Sequence, residues 1–430
     1  MTGEPDSPGG DREFDFDPAE RVQAVPPSGI RRFFEIAEER DDVISLGVGE
    51  PDFATPWTAR DAAIDSLEQG KTSYTANRGM RELREAIAGY ATDRFDLEYD
   101  PASEIIVTAG ASEAVDLAFR AFVDPGDVVA IAQPSYISYE PGVTFAGGEV
   151  LSVPTREADE FRLTVEALED AGAADAEVLV LCYPNNPTGA IMRKGELEPI
   201  AEFAREHDLL VLSDEIYAEL TYEGDHTSIA TLPGMRERTI VFNGFSKAHA
   251  MTGLRLGYAL GPADAVAAMN KIHQYTMLSA PTTAQYAALE ALESCGDEVR
   301  DMVDQYDRRR QFVLSRFREI GMDVFEAKGA FYCFPEVPEG WTGEAFAEEL
   351  LREQGVAVVP GDVFGTGGER HLRVSYATGL GDLREALARI ETFVDECGPD
   401  RTRTGSASVS GSGSVPETES EPGAEVEPER

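Results

Sequence analysis

Residues 177–214 read EVLVLCYPNNPTGAIMRKGELEPIAEFAREHDLLVLSD. The stretch opens on an apolar run, EVLVLCY (177–183), that is short and does not alternate with polar residues. A strand buried on both faces reads this way. KGELEPIAEFAREH (194–207) carries a helical pattern, and LLVLSD (209–214) is a second buried run. Strand, helix and strand in succession predict parallel strands joined by a crossover helix.

The same texture extends outward. EIIVTA (104–109), GDVVAIA (126–132), GEVLSV (148–153) and TIVFN (239–243) read as further strands. After the first of these, Ser112 is expected to cap a helix with Ala114, Leu117, Ala118, Ala121 and Phe122 on one face. A long charged helical stretch, CGDEVRDMVDQYDRRRQFVLSRFREIG (295–321), then leads into a smaller α+β region. The expected fold class is α/β with a mainly parallel sheet.

Composition narrows the function. The 430 residues hold 80 acidic and 37 basic side chains, a formal charge of −43. Such a surface repels nucleic acid and anionic membranes, so neither is an expected partner. Only five of the basic residues are lysine (Lys71, Lys194, Lys247, Lys271, Lys328) against 32 arginines. Acid excess with arginine in place of lysine resembles proteins of salt-loving archaea, where salt screens the self-repulsion. Cys182, Cys295, Cys333 and Cys397 are far apart, so neither a metal site nor a disulfide framework is expected. The acidic N-terminus lacks the apolar core of a signal peptide, and no run approaches a membrane span. A cytoplasmic protein is expected. Residues 1–22 and 398–430 are acidic and poor in apolar residues, and disorder is expected for both.

In open α/β sheets, ligands bind beyond the carboxyl ends of the strands. GAS (110–112), PSY (134–136), YPNNPTG (183–189), DEIY (214–217) and FSK (245–247) stand there. Each has an ordinary reading. GAS could be a tight turn or an anion-binding helix start, YPNNPTG a turn, and Asp214 a helix cap. Arg373 in HLRVSYA could be a solvated strand residue, Tyr136 a core aromatic and His249 a packing histidine. Shared placement at strand ends is what sets them apart. Lys247, among the small and apolar residues of NGFSKAHAMTGLRLGY (243–258), is a lysine kept where arginine serves elsewhere.

These residues, with SLGVGEPDFATP (45–56), YTANRGMRELREAIAGY (74–90), TAGASEAVDLAF (108–119), GAFYCFP (329–335) and RVSYA (373–377), resemble the class I/II aminotransferases of fold type I, and most their archaeal branch. The resemblance spans about residues 25–397. It implies pyridoxal 5′-phosphate as cofactor and a seven-stranded, mainly parallel sheet in a large domain (58–295). A segment (23–57) would join a smaller α+β domain (296–397). Lys247 would form an imine with the cofactor aldehyde and shuttle a proton; arginine cannot do this because it stays protonated. Asp214 would pair with the ring nitrogen, Tyr217 and Asn186 would hydrogen-bond the ring oxygen, and Tyr136 would stack on the ring. Gly110, Ala111, Ser112, Ser246 and Arg255 would surround the phosphate. Tyr74 would reach the phosphate of a neighbouring subunit, making a homodimer the active unit. Arg373, with Asn186 and the Gly47 backbone, would hold the substrate carboxylate.

The implied reaction moves an amino group from an L-amino acid to a 2-oxo acid such as 2-oxoglutarate. Gly244 stands where many relatives place Ser or Thr against the phosphate. Ser112 stands where some aspartate aminotransferases place a lysine for the distal carboxylate, which favours aromatic or other neutral donors. An aspartate aminotransferase using Arg31, Arg32 or Arg78 is the alternative. Further alternatives are a lyase on the same fold, a non-catalytic cofactor-binding regulator, and a hydrolase using Ser246.

Overall fold

The computed structural model describes residues 16–27, 29 and 42–396. Its strands are β1 (Ile44–Ser45), β2 (Ile105–Thr108), β3 (Val128–Gln133), β4 (Glu149–Pro154), β5 (Val178–Cys182), β6 (Leu210–Asp214), β7 (Thr239–Gly244), β8 (Gly257–Leu260), β9 (Tyr332–Cys333), β10 (Val356–Ala357), β11 (Val359–Pro360) and β12 (Leu372–Ser375). Seven of them form one sheet in the order β2-β8-β7-β6-β5-β3-β4.

Continuous apolar runs make this sheet because both faces are covered. On β5, Val178, Val180 and Cys182 join one core with Val129, Leu212, Phe242 and the helix Ala111–Phe122. Leu179 and Leu181 point the other way, onto Leu197, Ile200, Ala201 and Ala204 of the helix Lys194–Glu206. Each such aliphatic side chain contributes about 1.5–3 kcal/mol by leaving water.

The sequence reading found six of the seven strands. It missed β8, whose GYAL is short and opens on a glycine. β8 runs antiparallel to both β7 and β2. The other neighbouring pairs are parallel. The two reversals cancel, so β2 points the same way as β7. The carboxyl ends of β2, β3, β5, β6 and β7 therefore share one edge, and β8 begins there.

The predicted long helix spans Gly296–Ile320. It packs against β9 and the helix Leu380–Glu396, while β1 pairs with β10. Part of the segment expected to be disordered is ordered: Glu20–Gln23 form one helical turn. The acidic tail, Cys397, Arg31 and Arg32 lie outside the described residues. No described helix is long and apolar enough to cross a membrane.

Candidate active site

The common edge opens into a cavity of about 590 Å³. Ten of the expected site residues line it: Ala111, Ser112, Tyr136, Asn186, Asp214, Tyr217, Ser246, Lys247, Arg255 and Arg373. The turn after β5 shows how local chemistry aims one of them. Asn185 Oδ1 accepts from the Thr188 N–H (3.1 Å) and hydroxyl (2.8 Å), and its amide donates to the Cys182 carbonyl (3.3 Å). One asparagine thus closes the turn, and the next, Asn186, faces the cavity.

Lys247 follows β7. Its Nζ donates to the Gly49 carbonyl at 2.6 Å. Burial first, then the charges of Arg373 and Arg255, lower its pKa to about 8, against the pull of Glu50 and Asp214. Roughly one amine in ten is then neutral at pH 7, against fewer than one in a thousand for an ordinary lysine. This is the depression that carbonyl chemistry requires.

Asp214 ends β6 between Cys182 on β5 and Phe242 on β7. Tyr139 donates its hydroxyl to Oδ2 at 2.7 Å, and the Ile216 N–H donates to Oδ1 at 3.1 Å. Burial raises the carboxyl above its ordinary range, although both hydrogen bonds favour the anion. Its direct hydrogen-bond donors are neutral, and a cationic ring nitrogen in the cavity is the partner such a group fits.

At the other end, backbones approach closely. The helix Ala111–Phe122 is capped by Gly110 at φ +83°, not by Ser112, which is its second residue. The reason is Glu113, whose Oε2 accepts the Ala109 N–H at 2.5 Å and so closes the turn from the third helical position. The Ala111 and Ser112 N–H groups, in the first turn, lack intrahelical partners and form a site for an anion. Arg255 lies beside them: a Cβ on Gly110 would stand 2.6 Å from its Nη2. A Cβ on Gly257 would stand 2.3 Å from the Ala111 nitrogen, and one on Gly244 would stand 2.9 Å from the Gly257 Cα. Gly244 is therefore glycine for packing and does not line the cavity, whereas Ser246 does. Gly257→Ala must push the cradle open, at about 1–3 kcal/mol of overpacking. Cofactor titration of the variant should show roughly five- to hundredfold weaker binding; unchanged affinity would mean that the phosphate sits elsewhere.

Arg373 lies on β12, buried, with Nη1 donating to Asn186 Oδ1 (3.0 Å) and Nη2 to the Gly47 carbonyl (2.6 Å). Gly47 acts through this carbonyl and does not itself line the cavity. The guanidinium lies 4.7 Å from the Tyr332 ring centroid, and its Nε is buried without a partner. Burial lowers its pKa, yet no carboxylate among the described residues pairs with it. A buried guanidinium held only by neutral acceptors is fitted to an incoming carboxylate. Tyr217 shares a 3.0 Å hydrogen bond with the Tyr332 hydroxyl.

The donor set thus fits the expected cofactor: a depressed amine, a buried carboxylate and an anion cradle around one cavity. Tyr74 is the expected residue that lies apart. It is 78% exposed and does not line the cavity. Arg78 is also elsewhere, bonded to the Ala102 and Ser103 carbonyls. Tyr139, Tyr332, Cys182 and the Gly49 carbonyl were not singled out from sequence. Tyr139 carried a signal, standing three residues after Tyr136 beyond the end of the same strand; Tyr332 lies within GAFYCFP.

Residues 41–390 match the family described as aminotransferase class I and II. YugH of Bacillus subtilis (strain 168) is 52% identical over 374 residues, covering 87% of this chain and 97% of its own. An aspartate aminotransferase of Pyrococcus abyssi is 45% identical, over 88% and 98%. The crystal structure of an aromatic aminotransferase from Pyrococcus horikoshii OT3 superposes with a TM-score of 0.81 at 44% identity, over 85% of this chain and 99% of that one.

Proposed function

Since the chain belongs to the class I and II aminotransferases, enzymes that use pyridoxal 5′-phosphate, we propose that it transfers the amino group of aromatic or other neutral L-amino acids to a 2-oxo acid. The observation that carries this substrate class is the distribution of cations. Those lining the main cavity are Lys247, Arg255 and Arg373, each already matched to cofactor or α-carboxylate. An adjoining cavity of about 560 Å³ shares Ser112, Val115 and Tyr136 with it. Val25, Phe119, Ile137 and Phe145 wall this annex, and its charged lining residues are Asp116 and Glu140. A second substrate carboxylate finds no cation there among the described residues. A dicarboxylate donor is the second reading, favoured by the aspartate aminotransferase of Pyrococcus abyssi among the relatives. Mixing holoenzyme with single amino acids and recording loss of the cofactor absorbance separates the two. Phe or Tyr should react faster than Asp, and the reverse order would overturn the proposal.

When bound, the cofactor supplies the electron sink that stabilises a carbanion at the substrate α-carbon. The protein supplies the rest. Arg373 grips the α-carboxylate through a planar fork, with Asn186 and the Gly47 carbonyl fixing its plane. Lys247, neutral often enough at pH 7, moves the proton at the α-carbon. Asp214, steadied by Tyr139, would present negative charge to the ring nitrogen, while Tyr136 and Tyr217 would bound the ring. Gly110, Ala111, Ser112, Ser246 and Arg255 would hold the phosphate. Arg373→Lys keeps the charge and loses the fork, so kcat/KM should fall by about 2–4 kcal/mol, roughly 30- to 1000-fold. The loss should appear with every amino acid, because all share the α-carboxylate.

The proposal extends to a cytoplasmic homodimer. Exposed Tyr74 would reach across to the partner, and the exposed Trp57, Leu67 and Tyr275 favour a covered surface. Residues 58–295 would form the cofactor-binding domain and 296–397 the small domain, joined by 23–57 through the β1–β10 pairing.

A further inference from the structure

A second cavity, of about 480 Å³, is lined by residues two positions beyond two of those in the first. Lys247 and Tyr217 line the first; His249 and Glu219 line the second. Two short loops therefore separate the cavities and present alternate side chains to each.

His249, in the lining of this cavity, carries an unpartnered ring nitrogen. His249 is 4% exposed, and its Nδ1 is buried with no hydrogen-bond partner. Burial drives its pKa down to about 4, so the imidazole is neutral and can accept a hydrogen bond. Glu219 is already engaged: Oε1 accepts from the Tyr90 hydroxyl (2.6 Å) and Arg94 Nε (2.9 Å), and Oε2 from Arg94 Nη2 (2.7 Å). That pairing uses the charge of Arg94, and Arg300 is paired with Asp297. Asp93 and Glu293 remain as exposed acids of the lining, and Ala86 and Leu292 give it an apolar wall. Cavity, buried acceptor and acidic rim together describe a receptor for a cation with an apolar body.

We propose that this cavity binds a small alkylammonium ion, one N–H donating to His249 and a second cationic end meeting Asp93 and Glu293, and that its occupancy is felt at Lys247 and Tyr217 through the shared loops. The binding is independent of the substrate reading above; the coupling rests on the assigned roles of Lys247 and Tyr217.

The test uses N,N,N′,N′-tetramethyl-1,4-diaminobutane, a tertiary diamine that cannot condense with a carbonyl. Titrated into holoenzyme in a calorimeter, it should bind saturably, once per chain, with a dissociation constant of about 1 mM or tighter. His249→Phe should weaken binding by about tenfold or more, and Asp93→Asn with Glu293→Gln by several-fold. Arg373→Lys, on the other cavity, should leave binding unchanged. Should His249→Phe fail to fold, the Asp93 and Glu293 double variant, altered only at exposed positions, carries the test. No saturable heat, or equal binding by wild type and these variants, overturns the site, since general attraction to the acidic surface would give the latter. Binding that leaves both the turnover of an amino acid and its pH profile unmoved overturns the coupling.

Discussion

Lys247→Ala should lower transamination by about 10⁴-fold or more, since the proposed covalent attachment and proton shuttle would be lost together. Lys247→Arg should be no better, because a guanidinium stays charged. The fold should survive both changes, as far-UV circular dichroism would show. A Lys247→Ala protein that still transaminates at the wild-type rate would refute the assignment. The pH response gives a second readout. With its pKa near 8, Lys247 in cofactor-free protein should react with an aldehyde about ten times faster per pH unit up to that point, then level off. The sign for stability follows. Folded Lys247 releases its proton near pH 8 and the unfolded chain only near 10.5, so the unfolded state binds more protons in between. Stability of cofactor-free protein therefore rises with pH across that window, and Lys247→Met should remove this share of the slope.

Asp214→Asn should be the next most damaging change. In contact, at an effective dielectric near 20, carboxylate and ring cation would attract by roughly 5 kcal/mol before desolvation, which is an upper bound. A loss of about 10³-fold in kcat lies within it. Asparagine keeps the size and one acceptor for Tyr139, so the loss reports charge. A steady-state rate within a few-fold of wild type would show that the ring nitrogen does not depend on Asp214.

Much of this was legible in the sequence, for physical reasons. Buried parallel strands need unbroken apolar runs, which is why EVLVLCY and LLVLSD could be read directly. Strand ends in such sheets point at ligands, so Asp214, Asn186 and Lys247 were visible as well. What escaped depends on contacts between distant segments. β8 is four residues long, and its opening Gly257 is explained only by the backbone of Gly110 and Ala111 behind it. Ser112 looked like a cap because serine usually is one; Glu113 had already closed the turn. The pairing of Tyr332 with Tyr217 joins residues 115 positions apart, beyond any local pattern.

The shortage of lysine has a consequence for labelling chemistry. Reagents that acylate or reductively alkylate amines usually meet dozens of equivalent targets and report little. Here Lys328 is tied to Glu160 at 2.8 Å, and Lys71, Lys194 and Lys271 are exposed. Lys247, buried and with its pKa lowered to about 8, holds roughly one neutral amine in ten at pH 7. A small, uncharged electrophile able to enter the cavity should therefore mark one position well ahead of the other four. Stoichiometric inactivation at low reagent excess would turn a scarce residue into a built-in active-site titrant.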